Sequence, residues 1–213
     1  MAMGSLFHGV RLNDHLFRYD VIQIRSRVSC MDAASWQAPP TDVLGHTVPI
    51  QQFVTKTERA VVALEHVVAF PEGCILTLHL AVRRGPLDDS AWKAVVESHY
   101  GAEPGPTTTE EGLKFGVRFP DGSRATTVEH PLRGWAHPAD KPERPMLVEA
   151  GSDCSSNEQN YRCHQRLWLW PLPPPVVFEL VVEWRNIGIG QTCVTIDGSV
   201  VVRAAQHAAP FWT

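Results

Sequence analysis

The chain has 213 residues, 44% of them hydrophobic and 20% charged, with a formal net charge of −4. That apolar share supplies a substantial core and excludes a disordered chain, while the acidic balance argues against nucleic acid as a partner. There is no run of about 18 apolar residues, so no transmembrane helix is expected.

The first forty-odd residues have no sustained period. They carry charges where a secretion signal would need an apolar centre, and they end in the proline-marked stretch Trp36-Gln37-Ala38-Pro39-Pro40. Residues 1–42 are therefore expected as a loosely attached N-terminal extension, with one domain over 43–213. The expected compartment is the cytoplasm, where the five cysteines (Cys30, Cys74, Cys154, Cys163, Cys193), which lack CxxC spacing, stay reduced.

Beyond residue 47 the sequence alternates with period two, the sign of strands that bury one face. Val62, Leu64, His66, Val68 and Phe70 form one apolar set, and Leu76, Leu78, Leu80 and Val82 the next. Leu113, Phe115, Val117 and Phe119 form a third set, and Phe178, Leu180, Val182 and Trp184 a fourth. Weaker strands are expected near 47–55, 123–129, 145–150, 165–170 and 191–196. Pro120-Asp121-Gly122 supplies a tight turn between two of them. Trp92, Val95, Val96 and His99 share a helical stripe, which predicts a helix capped by Asp89 or Ser90 and running to Tyr100. At the C-terminus a strand to Ile196 is followed by an alanine-rich helix over about 199–208, with Asp197 near its N-cap. The fold expected is mainly β, a two-sheet antiparallel sandwich of immunoglobulin-like Greek-key type, with one or two peripheral helices.

Three segments are distinctive: Leu167-Trp168-Leu169-Trp170-Pro171-Leu172-Pro173-Pro174-Pro175 with Val182-Glu183-Trp184, Phe115-Gly116-Val117-Arg118-Phe119-Pro120-Asp121-Gly122-Ser123-Arg124-Ala125, and the alanine-rich tail ending in Trp212. Together they resemble a group of uncharacterised proteins of high-GC Gram-positive bacteria, over roughly residues 43–213. The resemblance implies the helical tail, from which Val200, Val201 and Val202 depart, and it carries no site residues. The proline run itself favours a stiff connection that cannot donate ladder hydrogen bonds, and so should join two strands with Trp168 or Trp170 packed on the core.

Zinc-type ligands gather in one polar region: His130, His137, Cys154, Cys163 and His164. The residue types suit a tetrahedral N/S site, but the spacings match no compact zinc pattern, and 151–164 reads as a polar loop. No metal and no cofactor is therefore expected, with these five as the candidate set should one exist. An enzymatic reading would pair one of these histidines with Asp121, Asp140, Asp153 or Glu158. No nucleophile elbow, phosphate loop or HExxH run accompanies them, and no catalytic residue is assigned. Trp36, Trp92 and Trp135 lie outside the clear strands and are the candidate anchors for a partner. The function expected is a non-catalytic interaction or scaffolding module binding another protein, with no nucleic-acid or membrane partner. The alternative is a metal-binding protein or metal-dependent enzyme built on the 130–164 region.

Overall fold

A computed structural model describes residues 34–100, 112–128, 142–143 and 145–212. The chain is mainly β, in antiparallel sheets. A short β1 (Val43–Leu44) leads into β2 (His46–Lys56), β3 (Ala60–Ala69) and β4 (Cys74–Arg83), and then α1 (Asp89–Tyr100). Two short strands follow, β5 (Leu113–Arg118) and β6 (Arg124–Thr126), and then the long pair β7 (Met146–Ser156) and β8 (Asn160–Trp170). The chain continues with β9 (Val177–Trp184), β10 (Ile189–Asp197), α2 (Gly198–Ala205) and β11 (Ala209–Pro210). One sheet has the order β2-β3-β4-β8-β7, a second β10-β9-β5-β6, and β1 pairs with β11.

Alternation explains the core. Leu76, Leu78 and Leu80 of the five-stranded sheet, and Phe115, Val117, Leu180, Val182 and Trp184 of the four-stranded one, belong to a single buried cluster, as their shared period predicts. Each such side chain taken from water stabilises the fold by about 1.5–3 kcal/mol before entropy is counted. The expected turn closes β5 onto β6: Asp121 Oδ1 accepts from the Ser123 N–H at 2.9 Å, and Gly122 takes a positive φ of 86°. The expected C-terminal helix also forms. Asp197 Oδ1 accepts from the Ser199 N–H at 2.8 Å, and Val201, Ala204 and Ala205 are buried. For α1 the cap is Asp88, whose Oδ1 accepts from the Ala91 N–H at 2.8 Å, one residue before the expected position.

Two expectations are corrected. The set Val62 to Phe70 does not keep one face, because a bulge between Leu64 and His66 inserts an extra residue. Leu64 pairs with Leu78 on the buried face and His66 with Thr77 on the other, so burial resumes at Val67 and Ala69. The polar stretch 151–164 is not a loop but the far half of the β7–β8 hairpin. Its turn is held by Asn157, whose Oδ1 accepts from the N–H groups of Gln159 at 2.9 Å and Asn160 at 2.8 Å.

The outer face of the five-stranded sheet changes character along its length. At one end Phe70, Met146, Val148, Trp168 and Trp170 form a second apolar cluster with Trp36. Trp168 Nε1 donates to the Ser35 carbonyl at 3.0 Å, which ties the 34–42 segment across this end. Residues 1–33 of the expected extension lie outside the described residues. From Trp170 the proline run carries the chain from β8 in one sheet to β9 in the other, as expected of a stiff connection. The tryptophans beside it pack under Trp36 rather than between the sheets.

Candidate functional site

Strand geometry divides the residues that sequence spacing grouped together. Along β8, Tyr161, Cys163 and Gln165 face the core, whereas Arg162, His164 and Arg166 face outward. Cys163 and His164 are neighbours in sequence and sit on opposite sides of the sheet. Of the five candidate metal ligands, Cys163 and His164 therefore cannot share one site. Cys154 and Cys163 are cross-strand partners joined by a disulfide, which also corrects the expectation of reduced thiols for this pair. His164 belongs to a different group, and His130 and His137 lie outside the described residues.

That group is built across three adjacent strands. His164 of β8 is the cross-strand partner of His79 on β4, with ring centroids 4.8 Å apart. The bulge in β3 leaves Glu65 unpaired in the ladder, and its carboxylate reaches both rings. Glu65 Oε2 is 3.3 Å from His164 Nδ1, and Oε1 is 3.8 Å from His79 Nδ1. One ligand atom from each of the three residues lies within 4.8 Å of the others. Burial, then the neighbouring His164, hold His79 below the usual histidine range against the opposing pull of Glu65. A neutral imidazole has a lone pair to offer a metal, so the shift favours coordination. His66 shares this face beside the bulge, and Asp153, the β7 partner of His164, lies exposed at its edge. Two imidazoles and a carboxylate on one side, with the opposite side open, make a donor set suited to zinc, copper, nickel or iron(II).

A second group lies on the inner side of the same hairpin. His99, near the end of α1, places Nδ1 4.0 Å from Cys154 Sγ and hydrogen-bonds through the same atom to the Tyr161 hydroxyl. Its ring also lies against Trp184, with centroids 6.0 Å apart. Burial pushes the His99 imidazole down to about 4, against a hydrogen bond to Gln165 that works the other way.

The remaining candidates fall elsewhere. Trp36 and Trp92 are core residues rather than exposed anchors: Trp36 is 4% exposed, and Trp92 is buried with Nε1 donating to the Asn157 carbonyl at 3.1 Å. Trp135 and Asp140 lie outside the described residues. Asp121 is occupied in its turn, and Glu158 sits in the β7–β8 turn. Among the described residues the large exposed aromatics are instead Phe53, Phe211 and, at 80% exposure, Trp212. Sequence reasoning assigned neither Glu65 nor His79 to a site. Alternation put both on outer faces, but nothing in the sequence announces the pairing of β4 with β8 or the bulge that aims the carboxylate. Neither a known protein-family model nor a curated protein matches this chain.

Proposed function

We propose that this chain is a non-catalytic metal-binding protein: a Greek-key β-sandwich that holds a divalent transition-metal ion on the outer face of its larger sheet. The observation that carries the reading is the convergence of Glu65, His79 and His164 from β3, β4 and β8. The ligands stand on adjacent strands, and His79 and His164 are direct partners in the ladder, so little order has to be imposed when the ion arrives. Ligand atoms of a tetrahedral zinc site lie about 3.4 Å apart. Glu65 Oε2 stands 3.3 Å from His164 Nδ1, near that spacing, and Oε1 stands 3.8 Å from His79 Nδ1, so side-chain rotation is enough to gather the three ligands. The open face leaves the remaining positions to water or to a group from a partner. Binding is favoured over catalysis because His79 and His164 stand on an open sheet face, and of the three ligands Glu65 alone also lines the open depression beside β2 and β3. The simpler account, a carboxylate balancing two histidines, predicts no metal affinity.

Isothermal titration of tag-free, oxidised protein separates these accounts. One equivalent of Zn²⁺ should bind, Cu²⁺ should bind more tightly, and His79→Ala with His164→Ala should abolish binding without loss of the β-sheet signal. Absence of binding, or binding that survives both substitutions, overturns the reading.

A second reading, the protein-interaction module, is favoured by the exposed apolar end formed by Leu44, Phe211 and Trp212. Phe211 is fixed there by its N–H, which donates to the Asp42 carbonyl at 2.8 Å. A second copy of the chain is its simplest occupant, since a two-fold pairing matches the patch to itself. Sedimentation at rising concentration should show self-association weakened by Trp212→Ala, and a monomer throughout removes this occupant.

A further inference from the structure

We infer that reducing the Cys154–Cys163 disulfide creates a second transition-metal site, with the two thiolates and His99 as ligands, so that the redox state of the hairpin sets how many metal ions the chain holds. The inference stands on the inner face of β7–β8 and does not depend on the Glu65 cluster. The two sulfurs are already adjacent as cross-strand partners, and a Sγ/Nδ1 distance of 4.0 Å brings the His99 imidazole to Cys154. The nitrogen and both sulfurs fall within 4.8 Å of one another. In a tetrahedral zinc site two thiolate sulfurs stand about 3.8 Å apart. Once the covalent bond is broken, side-chain rotation alone opens that spacing, with no demand on the strands.

The surroundings suit a metal. Cys163 is wholly buried, whereas Cys154 and His99 are half-buried, so the ion would be shielded on one side and reachable from the other. A buried thiolate without a cation is costly, so the ion compensates the charge that deprotonation creates. The His99 ring lies against Trp184, and its Nδ1, hydrogen-bonded to the Tyr161 hydroxyl in the oxidised protein, exchanges that partner for the ion. The fourth position falls to water.

The chemistry balances in two steps. A dithiol reductant attacks the half-buried Cys154 sulfur, Cys163 leaves as a thiolate, and the second thiol of the reductant resolves the mixed disulfide. The reductant ends as its own disulfide and the protein holds two thiols. Zn²⁺ then displaces two thiol protons, which pass to solvent.

Co²⁺ titration reads the new site directly, because thiolate-to-cobalt charge transfer gives near-ultraviolet absorption that imidazole and carboxylate ligands lack. The experiment uses tag-free protein carrying Cys30→Ser and Cys193→Ser, so that stray thiols do not contribute. A water-soluble phosphine is the reductant, since dithiols themselves bind metals; it takes oxygen from water as the disulfide becomes two thiols. The reduced protein should develop the charge-transfer band, complete by two equivalents per chain with the Glu65 site also filled, the oxidised protein should not, and Cys154→Ser should abolish it. His99→Gln should weaken the thiolate site at least tenfold. A reduced protein without the band, or unchanged affinity in His99→Gln, overturns the inference. Should reduction alone unfold the hairpin, Zn²⁺ is expected to restore the circular dichroism of the oxidised form, and failure to restore it counts equally against the site.

Discussion

Trp36 is the residue whose removal most sharply tests how the N-terminal segment is held. It covers Trp168 and Trp170 at the apolar end of the outer face and is 4% exposed. Truncating a buried tryptophan to alanine costs about 3–5 kcal/mol in lost burial and cavity formation. Against this, Trp36 Nε1 is buried with no hydrogen-bond partner among the described residues. An orphaned donor of this kind costs about 1–3 kcal/mol, which the substitution removes. The net expectation for Trp36→Ala is therefore a loss of about 2 kcal/mol, read from urea denaturation followed by far-ultraviolet circular dichroism. Trp36→Phe keeps most of the apolar contact and removes the orphan, so it should be at least as stable as the parent. A loss below about 0.5 kcal/mol for Trp36→Ala, within the range of surface substitutions, would refute the claim that this segment is part of the core. Equal losses for alanine and phenylalanine would show that the indole N–H is bonded after all.

Other consequences follow from the same geometry. In the oxidised, metal-free protein the His99 imidazole, pushed down to about 4 by burial, takes up its proton later than it does in the unfolded chain. Its stabilising effect is complete above the unfolded value of about 6.5 and is lost as pH falls toward 4, and His99→Gln should flatten that part of a stability-versus-pH curve measured by chemical denaturation. Asp197, held below the usual carboxylate range by its hydrogen bonds to Ser199, caps α2 only while ionised. Asp197→Ala should lower the melting temperature at neutral pH and lose its effect in acid, as followed by thermal denaturation. A Cβ on Gly198 would meet the Pro174 carbonyl oxygen at 2.3 Å and the Val176 oxygen at 2.5 Å. Gly198→Ala should therefore cost about 1–3 kcal/mol in a denaturant titration, in keeping with an overpacked site.

Much of the fold was legible in the sequence because burial on one face leaves a period of two. Leu76, Leu78 and Leu80, Phe115 and Val117, and Leu180, Val182 and Trp184 all declared their strands in this way. The Asp197 cap and the Pro120-Asp121-Gly122 turn were legible too, since each rests on chemistry within a few residues. Of the β7–β8 hairpin only the near halves were, as strands near 145–150 and 165–170. Beyond Gly151, β7 is an edge strand, with Ser152, Asp153, Ser155 and Ser156 partly or fully exposed, so no apolar alternation marks it. The candidate site was hidden for a different reason. Glu65, His79 and His164 are separated by long stretches of chain, and only strand pairing and the β3 bulge bring them together. The cluster visible in sequence, from His130 to His164, ignored the rule that adjacent strand residues face opposite ways.

The central claim is that Glu65, His79 and His164 hold one metal ion. Anomalous diffraction from crystals of the oxidised protein soaked in Zn²⁺, collected at the zinc edge, locates that ion directly. The account predicts one strong peak on the outer face of the larger sheet, about 2.0–2.2 Å from a nitrogen of each histidine and a Glu65 oxygen. A map with no peak among these three side chains, with the metal found elsewhere or nowhere, would contradict it.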